Sequence, residues 1–228
     1  MCKKSQPTKT TPKEPNMPPS IKTIMTTSPV IPVMVINQLD QAAPLAQALV
    51  DGGLKVLEIT LRTPVALDAI RRIKAEAPDA IVGAGTIINP QTLEQALEAG
   101  AEFIVSPGIT DSLLREALAC GVPLLPGVIT PSEVMRLLEH GITAMKFFPA
   151  EAAGGIPMLK SLGGPLPQVT FCPTGGVNPK NAPDYLALPN VACVGGSWMA
   201  PAELVDAGDW TEITRRALVA SQLKHQPG

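Results

Sequence analysis

The sequence lacks the features that mark several large classes of protein. Only 17% of its 228 residues are charged and the net charge is −2, so nothing in it favours nucleic acid or an anionic membrane as a partner. No apolar run is long enough to span a bilayer, and the N-terminus lacks the apolar stretch of a secretory signal. The composition therefore predicts a cytoplasmic protein.

Cysteine is scarce, and its spacing does not match the common zinc motifs. Cys2, Cys120, Cys172 and Cys193 form no CxxC pair and no Cys/His ligand pattern. The simplest interpretation is a reduced protein without a structural zinc.

Apolar residues are abundant, at 45%. At this chain length they suit one domain with a large core, which we place at residues 21–228. Residues 1–20 are rich in Lys, Thr, Ser and Pro. Because they have too few apolar groups to offset the entropy of ordering, we expect a disordered, basic and proline-rich tail there. Met17 and Met25 are alternative starts of the chain.

From Val30 onward, short β-rich runs alternate with amphipathic helical patterns. The predicted strands are Val30–Ile36, Val56–Leu61, Ala80–Gly85, Glu102–Ser106, Val122–Leu125, Ala144–Phe148, Val169–Pro173 and Val191–Val194. The clearest helical patterns are Ala42–Val50, Val65–Glu76, Pro90–Ala99, Asp111–Ala119, Pro131–Glu139 and Trp210–Ser221. Eight units of this kind favour an α/β fold of the (β/α)₈ TIM-barrel type, with a doubly wound sheet as the alternative.

Polar and glycine-rich segments follow most of the predicted strands, at the end where barrel active sites form. They are Arg62-Thr63, Gly83–Thr86, Ser106–Gly108, Pro126-Gly127, Pro149–Glu151, Thr174–Gly176 and Gly195–Ser197. Turn chemistry alone would explain several of them but not their consistent placement.

Lys146 lies in an apolar run, Ala144 to Glu151. Desolvation there is expected to lower the pKa of the lysine, and a neutral amine is what attack on a ketone requires for a Schiff base. The alternative is a lysine that carries its charge to solvent over a buried stem.

Strand alternation places Glu58, Thr60 and Arg62 on one face of their strand. We expect this face to point to the barrel axis, as do Lys146 and Phe148. A buried carboxylate without a task is costly, although Glu58 could also form a purely structural ion pair with either cation. Two cations for one carboxylate favour an anionic ligand.

The loops after the seventh and eighth strands of a barrel often hold phosphate. Here they read Gly175-Gly176 and Gly195-Gly196-Ser197, whose small side chains leave backbone N–H groups free. We therefore expect a phosphorylated substrate.

Five separated motifs then carry a family resemblance: Leu57–Thr63, Gly83–Thr86, Lys146–Glu151, Cys172–Gly176 and Gly195–Trp198. From about Ile21 to the C-terminal helix, the chain resembles the bacterial 2-keto-3-deoxy-6-phosphogluconate (KDPG) aldolases, also called 4-hydroxy-2-oxoglutarate (KHG) aldolases. Some members place an arginine near the end of the first strand, where this chain reads Met34-Val35-Ile36-Asn37.

The resemblance implies a class I aldolase, a carbon–carbon lyase of carbohydrate metabolism in the Entner–Doudoroff pathway. Lys146 would form the imine and Glu58 would move protons, releasing pyruvate and glyceraldehyde 3-phosphate. Cleavage of 4-hydroxy-2-oxoglutarate to pyruvate and glyoxylate is expected as well. No metal or other cofactor is implied, and the family suggests a homotrimer.

The remaining roles also follow from the resemblance. Arg62 and Thr86 would bind the substrate carboxylate, and Phe148 and Pro107 would shield the imine from water. The distal hydroxyls or phosphate would meet Thr174, Gly175, Gly176, Gly195, Gly196 and Ser197.

Two other classes of function remain. One is a phosphate-binding barrel isomerase or synthase that forms no imine, and the other is a non-catalytic scaffold barrel. Within the aldolase reading, the sequence leaves open the preference between phosphorylated and unphosphorylated substrates, the stereochemistry at C4 and any activity on oxaloacetate.

Overall fold

A computed structural model of the protein describes residues 19–223. Residues 1–18 of the predicted tail, and Met17 as an alternative start, lie outside the described residues. The strands are β1 (Val30–Met34), β2 (Val56–Thr60), β3 (Ile81–Gly85), β4 (Phe103–Val105), β5 (Leu124–Leu125), β6 (Gly127–Val128), β7 (Ala144–Phe147), β8 (Thr170–Pro173) and β9 (Val194–Gly196). The helices are α1 (Ile21–Thr26), α2 (Ala42–Asp51), α3 (Ala66–Glu76), α4 (Pro90–Glu98), α5 (Asp111–Cys120), α6 (Pro131–Leu138), α7 (Gly155–Gly163), α8 (Ala182–Leu186), α9 (Ala202–Asp206) and α10 (Trp210–Ser221).

The strands form two curled parallel sheets, with the orders β5-β4-β3-β2-β1-β9 and β6-β7-β8. Between β5 and β6 lies Pro126 alone, whose carbonyl accepts the Lys146 N–H at 2.8 Å, while the carbonyl of Leu125 bonds to Ser106 on the other side. Isolated bridges join Phe171 to Val191 and Thr174 to Gly195. The strand order lacks the reversal of a doubly wound sheet.

The predicted fifth strand, Val122–Leu125, is therefore only part of the segment that pairs. Proline has no N–H to donate, so the ladder is interrupted at Pro126 and resumes at Gly127. Prediction stopped at the proline because a Pro-Gly pair is typical of a turn.

All six predicted helices are confirmed to within one or two residues. Capping explains the starts of two of them: Asn89 and Thr130 each form a capping box with the residue three positions later, and a proline follows at the first helical position. Four further helices, α1, α7, α8 and α9, were not predicted. Three of them have only five or six residues, too few to show an apolar periodicity, and α7 begins with glycine.

Alternation along the strands divides the core into two layers. Leu57, Ile59, Met145 and Phe147 pack among the helices. The other face of the strands, together with α1 and the residues just before β9, forms an inner cluster. Its members are Ile24, Met25, Ile31, Val56, Phe103, Val105, Leu125, Ala144, Cys172, Ala192 and Cys193. The α1 side chains Ile24 and Met25, at 0% and 1% exposure, thus close the amino end of the sheets. Within residues 19–223, no helix has the length and apolar character needed to cross a bilayer.

Candidate active site

A buried ion pair lies inside the sheets, above the inner cluster. Lys146 Nζ on β7 is 3.0 Å from Glu58 Oε1 and 3.3 Å from Oε2 on β2, and the side chains are only 6% and 4% exposed. Their strands belong to different sheets, so alternation on each strand brings two residues 88 positions apart together. Since desolvating two charges is costly, such a pair is weak evidence for a purely stabilising role.

Glycine makes room for this pair. A Cβ atom on Gly85 would lie 2.2 Å from Glu58 Oε1, so the carboxylate occupies the space that any other residue would fill. Gly127 pairs in register with Lys146, and a Cβ there would lie 2.3 Å from the Pro107 carbonyl oxygen. Pro107 itself is exposed and packs against this neighbouring strand.

Arg62 and Thr86 meet at the carboxyl ends of β2 and β3, where the Arg62 Nε donates to Thr86 Oγ1 at 3.3 Å. Thr86 has a φ of 63°, a left-handed conformation that costs a β-branched residue about 1–3 kcal/mol. In the described part of the chain, no carboxylate lies within ion-pair distance of Arg62. Its guanidinium is therefore free to bind an anion from solution.

Phe148 connects the ion pair to the main cavity. Lys146 Nζ lies 5.3 Å from the centroid of its ring, and the ring forms part of the wall of a cavity of about 620 Å³. Eight predicted site residues line this cavity, namely Arg62, Phe148, Thr174, Gly175, Gly176, Gly195, Gly196 and Ser197. The other four, Lys146, Glu58, Thr86 and Pro107, do not line it directly.

The two glycine loops form the far side of the cavity. Gly175 and Gly176 have φ values of +98° and +79°, which favour glycine. Within residues 19–223, no protein group accepts a hydrogen bond from the Gly176 N–H, whereas the backbone beside Gly175 takes part in the bridge between Thr174 and Gly195. Thr174 lies against the second loop, since a Cβ on Gly195 would be 2.2 Å from its Oγ1. Gly195 and Gly196 pair with β1 as part of β9. The unpaired donor beside the cavity is therefore the Gly176 N–H, which an anion could bind.

Several cavity residues were missed by sequence reasoning. The end of β1 contributes Val33, Met34, Val35 and Asn37, and α9 contributes Asp206. The only signal for the first group was the Met34–Asn37 departure from the family pattern, and α9 is too short to show a periodicity. Among the residues that the structure describes, Arg62 is the only cation that lines the cavity. A distal anion would therefore depend on uncharged donors, namely backbone N–H groups and side chains such as those of Asn37 and Ser197.

Trp198 was also missed as a functional residue, although it ends a quoted motif. Its ring covers Gly196, where a Cβ atom would lie 1.9 Å from the indole, and it lines the cavity. Only a side chain as small as glycine fits beneath it.

One cysteine lies beside this site, since Cys172 pairs in register with Lys146 and its Sγ is 3.9 Å from Thr174 Oγ1. A hydrogen bond to Cys172 and burial raise the pKa of the Cys193 thiol, which keeps it protonated and unreactive. Cys172, Cys193 and the exposed Cys120 are all free thiols. Among the residues that the structure describes, no group of three or more His, Cys, Asp or Glu side chains could hold a metal ion.

A buried amine beside a carboxylate, next to a cavity with free anion donors, is the arrangement that an imine-forming enzyme of a keto acid requires. Residues 21–216 match the family model described as KDPG and KHG aldolase. The chain is 53% identical over 202 residues to the KHG/KDPG aldolase of Escherichia coli K12, covering 89% of this chain and 95% of that protein. It belongs to the KDPG and KHG aldolase family.

Solved structures agree. The KDPG aldolase of Legionella pneumophila, captured with pyruvate as a covalent carbinolamine, has a TM-score of 0.88 at 50% identity, covering 90% of this chain and 99% of that one. The Zymomonas mobilis ZM4 enzyme, solved with 3-phosphoglycerate, has a TM-score of 0.87 at 51% identity, covering 91% and 97%. The chain thus has a class I aldolase-like α/β fold.

Proposed function

We propose that this protein is a class I aldolase that reversibly cleaves KDPG to pyruvate and glyceraldehyde 3-phosphate. It would also cleave 4-hydroxy-2-oxoglutarate to pyruvate and glyoxylate. The single observation that carries the proposal is the buried contact of 3.0 Å between Lys146 Nζ and Glu58 Oε1. The relatives named for these substrates, and the pyruvate carbinolamine of the Legionella enzyme, support it.

The reaction begins when Lys146 passes a proton to Glu58 and attacks C2 of the keto acid. The carbinolamine loses its hydroxyl as water, with Glu58 returning the proton, and leaves a positively charged imine. Glu58 then takes the C4 hydroxyl proton as the C3–C4 bond breaks, and the bonding electrons move into the imine to give a neutral enamine. Protonation at C3 and hydrolysis release pyruvate and restore the lysine.

The ends of the substrate are held differently. Arg62 would donate two hydrogen bonds to the C1 carboxylate, with the Thr86 hydroxyl beside it. Phe148 and Pro107 would shield the imine from water. Thr174, Gly175, Gly176, Gly195, Gly196 and Ser197 would receive the distal hydroxyls and phosphate, and the 3-phosphoglycerate in the Zymomonas enzyme supports a phosphorylated ligand in this family.

The finer features of the architecture belong to the same proposal. We take residues 21–228 as one domain in which the two sheets close into a complete (β/α)₈ barrel, supported by the links at Pro126 and Thr174. The imine replaces a metal or other cofactor as the electron sink.

The cytoplasmic location and the homotrimer stay predictions. Native mass spectrometry would show a species of three times 23.8 kDa if the trimer forms.

Borohydride trapping tests the central proposal. The protein is incubated with pyruvate, reduced, digested and examined by peptide mass spectrometry. An adduct on Lys146 supports imine chemistry. A folded protein that yields no adduct would instead favour a phosphate-binding barrel isomerase or synthase.

A further inference from the structure

A buried tyrosine is bonded to a carboxylate just outside the cavity. Tyr185 on α8 is 0% exposed, and its hydroxyl donates a hydrogen bond to Glu151 Oε1. Burial, followed by the bond to Glu151 and its negative charge, raises the pKa of the Tyr185 phenol. The phenol therefore remains a donor throughout the physiological range, although neither residue lines the cavity.

Glu151 lies directly over the first glycine loop. A Cβ atom on Gly176 would be 2.5 Å from Glu151 Cγ and 2.7 Å from its Cβ, so the two residues are in close contact. The backbone supports the same contact, because the Glu151 N–H donates to the Gly175 carbonyl at 3.1 Å and the Ala150 N–H donates to Thr174 at 2.8 Å. The segment after β7 is thus joined to the loop after β8.

The other side of Gly176 is fixed as well. Its carbonyl accepts hydrogen bonds from the side-chain amides of Asn178 and Asn181, both at 3.2 Å. The Gly176 N–H shares its peptide plane with the Gly175 carbonyl, which accepts the Glu151 N–H, while the two amides hold the following peptide through the Gly176 carbonyl. Because hydrogen bonds hold the peptides on both sides of Gly176, its unpaired N–H points in a set direction.

Tyr185 also lies against this segment. A Cβ on Gly155 would be 3.0 Å from the Tyr185 hydroxyl oxygen and 3.4 Å from Glu151 Oε1. The hydroxyl, the carboxylate and two glycines with positive φ, Gly155 and Gly176, form one packed unit. We refer to Glu151 and Tyr185 together as the loop clamp.

We infer that the loop clamp is a positioning device that sets specificity for the distal, phosphorylated end of the substrate. It acts through Gly175 and Gly176 and makes no contact with the reacting atoms. The inference rests on the proposed function, because it assumes that these glycines bind the distal end. Its consequence is selective: loss of the clamp weakens binding of the long phosphorylated keto acid and spares the chemistry at the lysine.

The experiment compares Glu151→Ala, Glu151→Gln and Tyr185→Phe with the full-length wild type. KM and kcat are measured for KDPG and for the shorter, unphosphorylated 4-hydroxy-2-oxoglutarate, together with the exchange of pyruvate methyl protons. We expect Glu151→Ala to raise the KM for KDPG on the order of tenfold, a change that corresponds to about 1.4 kcal/mol. The KM for the shorter substrate should change less than twofold, and pyruvate exchange should stay at the wild-type rate.

The other variants sharpen this result. Glu151→Gln keeps the volume over Gly176 and an oxygen that can accept from Tyr185, so it should restore most of the affinity lost in Glu151→Ala. Tyr185→Phe removes only the hydroxyl and should give an intermediate increase in KM. Asp184→Asn is the matched control, since it removes an exposed carboxylate from the same short helix and should behave as wild type.

Two results would overturn the inference. One is a KM for KDPG within twofold of wild type in both Glu151→Ala and Tyr185→Phe. The other is a loss of pyruvate exchange that equals the loss of KDPG cleavage, which would indicate general damage to the site. A wild-type protein that forms no borohydride adduct with pyruvate would overturn the proposed function itself, whereas unchanged variants of an active wild type would reject the clamp alone.

Discussion

The two ends of the site are built from different materials. At the inner end, charged or hydroxyl-bearing side chains on or just after β2, β3 and β7 converge, and the buried pair of Lys146 and Glu58 is their centre. At the outer end, the loop after β8 and the end of β9 offer glycine backbone, and among the residues that the structure describes Arg62 is the only cation that lines the cavity. An electron sink needs particular functional groups, whereas a phosphate can be met by backbone N–H groups in the right direction.

This difference determines what each end tolerates. Substitution at the inner end removes a functional group and should reduce the rate of the chemical step. Substitution at the outer end distorts a surface and should reduce affinity while the chemistry continues. The predictions below test that division in order of expected effect.

The largest effect is expected at Lys146. Lys146→Arg keeps a cation beside Glu58, but a guanidinium stays protonated and forms no imine. We expect cleavage of KDPG to fall by at least about a thousandfold while the circular dichroism spectrum is unchanged. Lys74→Arg is the control, because Lys74 also pairs with a carboxylate, Glu102 at 2.8 Å, away from the cavity. Substantial turnover by Lys146→Arg would contradict imine chemistry at this lysine.

Glu58→Gln should have the next largest effect. The amide keeps the shape that fits over Gly85 but cannot carry a proton between the reacting atoms. Exchange of the pyruvate methyl protons, followed by NMR in D₂O, should slow on the order of a hundredfold or more. Glu102→Gln provides the comparison, and an unchanged exchange rate in Glu58→Gln would remove this residue from proton transfer.

Arg62→Lys should act mainly on binding at the inner end. Lysine keeps the charge but loses the planar fork that matches a carboxylate, so the KM for pyruvate in the exchange assay should rise about tenfold. Arg72→Lys, which changes a surface pair with Glu76, should leave it unaltered. A KM for pyruvate that is unchanged in Arg62→Lys would show that the substrate carboxylate binds elsewhere.

Gly176→Ala should have the smallest of these effects and should appear only at the outer end. The new Cβ would meet Glu151 in a backbone with φ of +79°, and the KM for KDPG should rise several-fold while pyruvate exchange is unaffected. Gly141→Ala is the control for backbone strain alone. Gly141 has a similar φ of +74°, but no atom lies within 4 Å of the added Cβ. Equal kinetics in the two variants would show that the contact with Glu151 is irrelevant to binding.

The same division explains what could be predicted from the sequence. Period-two alternation places Leu57 and Ile59 among the helices and Glu58 inside, and it does the same for Met145 and Lys146. Because both residues lie on regular strands, the sequence predicted that the lysine and the carboxylate face the same interior, and the structure places them in contact. The position of the first glycine loop could be predicted in the same way, because it follows β8. The prediction for the second was wrong, since Gly195 and Gly196 lie within β9 rather than in a loop after a strand at Val191–Val194.

Contacts between irregular segments were beyond such reasoning. Gly85 was predicted as the end of a strand, but its small size is needed because Glu58, on the neighbouring strand, occupies the space above it. The bond from Tyr185 to Glu151 joins a five-residue helix to a loop 34 positions away, and neither segment has a periodicity that would reveal it. Steric fit of this kind depends on the packed structure, which local pattern does not encode.

In the described part of the chain, the helix α1 covers the amino end of the sheets. Because Ile24 and Met25 are buried in the inner cluster, they block the amino end of the sheets. Substrate that enters at the carboxyl end must therefore leave as products at the same end. The lysine lies deep and the glycine loops lie near the rim, where Gly176 and Ser197 are exposed. Product release in the proposed cleavage is therefore ordered. The phosphorylated aldehyde dissociates first, because the pyruvate fragment is still covalently bound to the lysine and lies deeper in the site.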